Sequence, residues 1–183
     1  MNKLGLTPKE IGYLATFNFI GRFINSLYAG VITDRLGRKI TLFIFDILAW
    51  PLAFFIWAIS NNFILFLIGV LLNSFVAVAD TAWKCILVED ANPQERKFIF
   101  AFLKMIFVIG GMVVPLFSIL IAKYHIVVAI KIVLVVGAIG MLGAIIVRNF
   151  FLTETVVGVK IKAISIENQY NSIQKIKEAL KYI

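Results

Sequence analysis

Long apolar stretches follow one another along this chain with only a few polar residues between them. A helix rises about 1.5 Å per residue, so roughly 20 apolar residues cross the ~30 Å hydrocarbon layer of a bilayer. The stretches show no alternation of apolar and polar positions and exceed strand length several-fold, which argues against a β-barrel. Hydrophobic residues make up 61% of the chain, against about 45–50% in a soluble domain. The predicted fold class is all-α, a polytopic transmembrane helical bundle over residues 1–152. Its five spans lie at about 11–32, 40–60, 63–88, 98–123 and 126–151. Asn61 and Asn62 make a tight turn, and Asn92-Pro93 breaks the chain between the third and fourth spans.

The tail over residues 153–183 has a different pattern. Ile166, Tyr170, Ile173, Ile176, Leu180 and Ile183 recur at three- and four-residue steps, with lysines and polar residues on the other face. This describes an amphipathic cytoplasmic linker helix suited to the membrane surface or to a neighbouring helix. A solvated linker fits the same pattern.

The net charge of +8 does not imply nucleic acid, because no basic and aromatic element stands apart from the spans. Basic residues gather instead on one side of the spans. Arg35, Arg38, Lys39, Arg96, Lys97, Arg148, Lys160, Lys162, Lys175, Lys177 and Lys181 fall there, against Lys3, Lys9 and Lys123 on the other. That bias puts the N-terminus outside and the tail in the cytoplasm of a multi-pass plasma-membrane protein. Cys85 and His125 are the only residues of their kinds, so neither a disulfide nor a metal site is expected within the chain. No nucleophile, base or metal-ligand spacing suggests an enzyme, and no cofactor is implied.

Between Gly30 and Lys39 the chain reads GVITDRLGRK. So many ionised groups in so short a hairpin are unusual between two spans. Gly30 permits close packing of another helix, and Gly37 permits a sharp bend by adopting positive φ. Asp34 can interact with the positive end of a helix, and Arg38 can grip a carboxylate bidentately. The third span ends ILVEDANPQERK, placing Glu89, Asp90, Pro93 and Arg96 at the same membrane level.

The order Gly30, Asp34, Arg35, Gly37, Arg38, Lys39 resembles the signature loop of the major facilitator superfamily of secondary transporters, and the Glu89 to Arg96 segment resembles that family's loop between its fourth and fifth helices. The resemblance covers about residues 4–158 and implies that the five spans match the family's second to sixth helices. It further implies that Arg38 pairs with Glu89 in a latch on the inward side, while Asp34 faces the opposite half of a complete transporter. The alternative is that these charges serve only as topology signals and helix caps. The family's first helix and second half have no counterpart here, so the expectation is a truncated or split member completed by missing helices. As partners, the resemblance implies a small-molecule solute, a possible coupling ion and the lipid bilayer. A non-transporting helper subunit that assembles with another membrane protein is the alternative function.

Ionisable groups inside spans cost about 2.5–3.5 kcal/mol each and usually face a cavity or a partner. Asn18, Arg22 and Asn25 share one face of the first span and form the best candidate for a solute path. Arg22 would there meet an anionic solute or an intramembrane acid. Asp80 and Lys84 lie one turn apart, where they either neutralise each other or line an inner vestibule, with Asp80 a candidate proton carrier. Asp46 lies within reach of the latch arginines, Lys104 and Lys131 are near enough to interfaces to snorkel, and Pro51 and Pro115 are expected to kink their helices.

Overall fold

The computed structural model describes residues 6–112, 115 and 126–167, and all the elements among them are helical. The first helix, α1, runs Pro8–Leu36. Its start is set locally. The Thr7 N–H donates to Glu10 Oε2 at 2.6 Å and the Glu10 N–H returns to Thr7 Oγ1 at 3.3 Å, with Pro8 in the first turn. This reciprocal box satisfies two amides that a helix start leaves orphaned. Its end is set by Gly37, which takes φ 93° while its N–H donates to the Thr33 carbonyl at 3.0 Å. A side chain at that φ is strained, so glycine is what allows α2 to begin at the next residue.

Helix α2 spans Arg38–Ile59. Around Pro51 it widens into a π-turn, Leu48–Leu52. Proline lacks the N–H that would close an α-turn, and the wider turn absorbs that loss within a continuous helix. Helix α3 spans Phe63–Val88. It is capped by Asn62, whose Oδ1 accepts from the Leu65 N–H at 2.9 Å, and interrupted by a single turn residue at Phe75. Helix α4, Pro93–Gly111, starts at an Asn92/Glu95 capping box. Helix α5 is Ile126–Phe151, and residues 156–167 are again helical and are called α6.

Among the described residues, three helices are long and apolar enough to cross a membrane: α2, α3 and α5. Asn18, Arg22 and Asn25 dilute the hydropathy of α1. Helix α4 carries Glu95, Arg96, Lys97 and Lys104. The remainder of the expected fourth span, except Pro115, lies outside the described residues, as do His125 and the tail beyond residue 167.

Helix α1 packs along α3, α2 packs on the second half of α3, and the last turns of α2 pack on α5. The contacts are made by small side chains. Ala29, Ala49, Ala53, Ala79 and Ala82 are almost wholly enclosed, whereas Phe107 and Phe150 are about four-fifths exposed. That is the reverse of a soluble core. In lipid no hydrophobic force drives helices together, so small residues let backbones approach and large apolar ones face outward. At the α1–α3 crossing, a Cβ added to Gly21 would lie 2.8 Å from the Cβ of Ser74.

Candidate functional site

The α1–α2 turn, the end of α3 and the segment after α5 meet at one end of the bundle. Arg38, the first residue of α2, is the centre of this junction, with a side chain only 3% exposed. Its Nε donates to both carboxylate oxygens of Glu89, at 3.0 and 3.1 Å, and its Nη2 to Glu89 Oε1 at 2.8 Å. Its Nη1 pairs with Asp34 at 2.9 Å and with the Thr33 carbonyl at 3.3 Å. One guanidinium therefore ties the last turn of α1 to the end of α3.

The tail completes the junction with two residues that the sequence reading did not single out. Glu154 accepts from the backbone N–H groups of Arg38 at 2.9 Å and Lys39 at 3.1 Å, so a carboxylate caps the positive end of α2. The buried Thr155 hydroxyl donates to Glu89 Oε2 and accepts from the Gly158 N–H at 2.8 Å. Asp90 accepts from the Val156 N–H at 3.0 Å, capping α6 from the end of α3. Lys162 Nζ donates to the Leu36 carbonyl at 3.0 Å, the site at a helix C-terminus that favours a cation. Gly158 is needed because a Cβ there would lie 2.8 Å from Arg38 Cδ.

Burial acts to raise the Glu89 carboxyl, but hydrogen bonds from Arg38 and Thr155, with the guanidinium charge, outweigh it and hold Glu89 below the usual carboxylate range.

Other expected members of the turn stand apart. A Cβ on Gly30 would meet nothing within 4 Å, so no described helix packs closely there. Arg35 is exposed, and Lys39 joins the junction through its backbone amide alone. Arg96 turns back to the Ala91 carbonyl at 3.2 Å, so it stays with its own loop. Asp34 is held by Arg38 one turn on, with its side chain still 44% exposed.

Deeper in the bundle, the polar face of α1 meets a buried polar pair on α3. Asn18 Nδ2 donates to the Val70 carbonyl at 3.3 Å and to Asn73 Oδ1 at 3.4 Å. Arg22 Nη2 reaches the same Asn73 oxygen at 3.2 Å, and Asn25 Nδ2 reaches Ser74 Oγ at 2.9 Å. Asn73 Nδ2 in turn donates to the Ala49 carbonyl, in the π-turn of α2, at 2.9 Å. Asn73 thus joins α1, α2 and α3. Its signal in the sequence was the Asn73-Ser74 pair, set in an otherwise apolar run.

Asp46 is not reached by the arginines of the turn. It pairs with Arg148 of α5, whose guanidinium carbon lies 5.4 Å from the centre of the Trp83 ring on α3. Asp80 and Lys84 are both exposed and do not pair with each other. Of the two arrangements expected for them, mutual neutralisation is therefore not the one seen. Lys131 Nζ donates to Asn61 Oδ1 at 2.8 Å, tying α5 to the α2–α3 turn at the opposite end.

The sequence model of the Major Facilitator Superfamily matches residues 1–180. A protein of Bacillus subtilis (strain 168), NiaP, whose name describes a proposed niacin/nicotinamide transporter, is 30% identical over 118 residues. The matched region covers 62% of this chain and 28% of that relative, so the chain spans well under half of the relative's length. No solved structure matches the chain.

Proposed function

The chain belongs to the major facilitator superfamily of membrane transporters, and on that premise we propose that it forms part of a secondary transporter moving a small solute by alternating access. The observation that carries this reading is the junction around Arg38. Transport by rocking two halves requires each half to move as a unit, and the contacts of Arg38, Glu89, Glu154 and Thr155 tie α1, α2, α3 and the tail into one body. The role of the junction is to fix the shape of the α1–α2 turn, so that Asp34, Arg35 and Lys39 present a defined charged rim to the second half when the inward side is closed.

In this reading α1 and α4 also span the membrane, the turn is cytoplasmic and the chain lies in the plasma membrane with its N-terminal end outside. Asn18, Arg22 and Asn25 face the solute path, with Asp80 and Lys84 further along it and Asp80 available to carry a coupling proton.

Uptake into vesicles made from cells that express the protein tests the gate. A solute panel including nicotinate and nicotinamide supplies the substrate. Asp34→Asn is expected to lower uptake with little change in thermal unfolding, and Arg38→Ala to lower both. Full uptake by both variants would remove the gate assignment.

A further inference from the structure

We propose that Arg22 is an anchor for a small monocarboxylate, with Asn73 as the residue that positions it. The inference rests on the transport reading above and adds the charge and class of the solute.

Arg22 lies fourteen residues from either end of α1, since Pro8–Leu36 is 29 residues long. It is therefore about 21 Å along the axis from each helix end. A cation at that depth costs about 2.5–3.5 kcal/mol and belongs with a partner or a water-filled path. The partner within this chain is an amide. Arg22 Nη2 donates to Asn73 Oδ1 at 3.2 Å, and the ion pairs among the described residues are Arg38–Asp34, Arg38–Glu89 and Arg148–Asp46. An amide oxygen orients the guanidinium without neutralising it. Of the five N–H donors that an arginine carries, most remain for another acceptor, and Arg22 is exposed.

Asn73 is only 5% exposed. Its Nδ2 is committed to the Ala49 carbonyl and its Oδ1 to Asn18 and Arg22, so it cannot rotate without breaking bonds to two other helices. The guanidinium is thereby held at one edge, leaving its remaining N–H groups to form the parallel pair of hydrogen bonds that suits a carboxylate. One positive charge balances one negative charge. A dicarboxylate would bring an unbalanced charge to the same depth, so the site selects monoanions.

The test uses the full chain reconstituted in liposomes and direct binding of labelled acetate, benzoate and nicotinate, each against its neutral amide, with succinate as the dianion. Wild type is expected to bind at least one of the three monocarboxylates about tenfold or more tighter than its amide and than succinate. Arg22→Gln should bring that ratio to within about twofold, and Arg22→Lys, a charge without the planar fork, should keep part of it. Asn73→Ala should reduce the ratio while amide binding is unchanged, whereas a merely structural role would weaken both ligands together. A wild-type protein without carboxylate preference, or an Arg22→Gln variant that retains it, overturns the proposal. That second result would mean that a group other than Arg22 recognises the carboxylate. Failure of the gate variants to alter uptake, with Arg22-dependent binding intact, would remove the gate and leave this site standing.

Discussion

Arg38 and Glu89 stand 51 positions apart in the chain and are joined by three hydrogen bonds, two from Nε and one from Nη2. The same guanidinium holds Asp34 at 2.9 Å, and Thr155 donates to the second oxygen of Glu89. The charges are thus satisfied as a set, in a site where the Arg38 side chain is 3% exposed and that of Glu89 13%. Removing Arg38 or Glu89 alone leaves the other desolvated and short of hydrogen bonds, which is costlier than removing both.

Arg38→Ala is accordingly expected to destabilise the protein by about 3–5 kcal/mol, the range for breaking a buried ion pair from one side. The Arg38→Ala/Glu89→Ala double variant should lose clearly less than the sum of the single losses. Reversible unfolding in mild detergent measures all three. Strict additivity would show that the two side chains act independently.

Glu154 supports the same turn through the backbone. Glu154→Ala removes the acceptor for the Arg38 and Lys39 amides and should cost about 1 kcal/mol, as for loss of a helix cap. Glu154→Gln keeps an oxygen acceptor and should cost less. Hydrogen exchange at the Arg38 and Lys39 amides should quicken in Glu154→Ala, and unchanged protection would refute the cap.

The junction has a defined pH dependence. The Glu89 carboxyl is held below its ordinary value by Arg38 and Thr155 against the effect of burial. A group with a depressed folded pKa binds its proton more weakly folded than unfolded, so it contributes stability above the unfolded value, about 4.3 for a glutamate. That contribution is lost only as pH falls through the lower, folded value. The junction should therefore hold unchanged from about pH 8 to pH 5 and loosen in more acid solution. Spin labels on the α1–α2 turn and α6 would report the distance, and loosening already near pH 6 would contradict the assignment to Glu89.

Asp46 and Arg148 make a second pair, between α2 and α5, with Arg148 also over Trp83. Arg148→Ala strands a carboxylate that is 7% exposed, and should cost about 3 kcal/mol, similar to placing a lone charge in a span. Adding Asp46→Asn should recover much of that loss. Unfolding in bicelles checks both, and a double variant as unstable as Arg148→Ala alone would show that the carboxylate charge is not what the arginine compensates.

How far the fold and the site were legible in the linear order depends on the range of the interaction concerned. The Thr7/Glu10 and Asn92/Glu95 boxes and the positive φ of Gly37 arise within a few residues. The all-helical class and the three strongly apolar helices follow from run length and the lack of alternation. The GVITDRLGRK turn was visible because its charges and glycines interrupt apolar sequence at close spacing. Pro51 was legible as an irregularity, but its accommodation by a π-turn was not, because that depends on how α2 packs and on the Asn73 amide meeting the Ala49 carbonyl.

Glu154 and Thr155 gave no signal, since a carboxylate and a hydroxyl after a membrane helix are ordinary there. Only the return of the chain to the α1–α2 turn makes one a helix cap and the other a ligand of Glu89. The crossing of α2, α3 and α5 similarly directed Asp46 to Arg148, 102 residues away, and left Asp80 and Lys84 on an exposed face. Local order could write the helices, their ends and the hairpin between them, because backbone hydrogen bonding and apolar run length act over short distances. Which distant charges met was left to helix crossings made by Gly21, Ala79, Ala82 and other small residues, where close backbone approach sets the geometry that long polar side chains then fill.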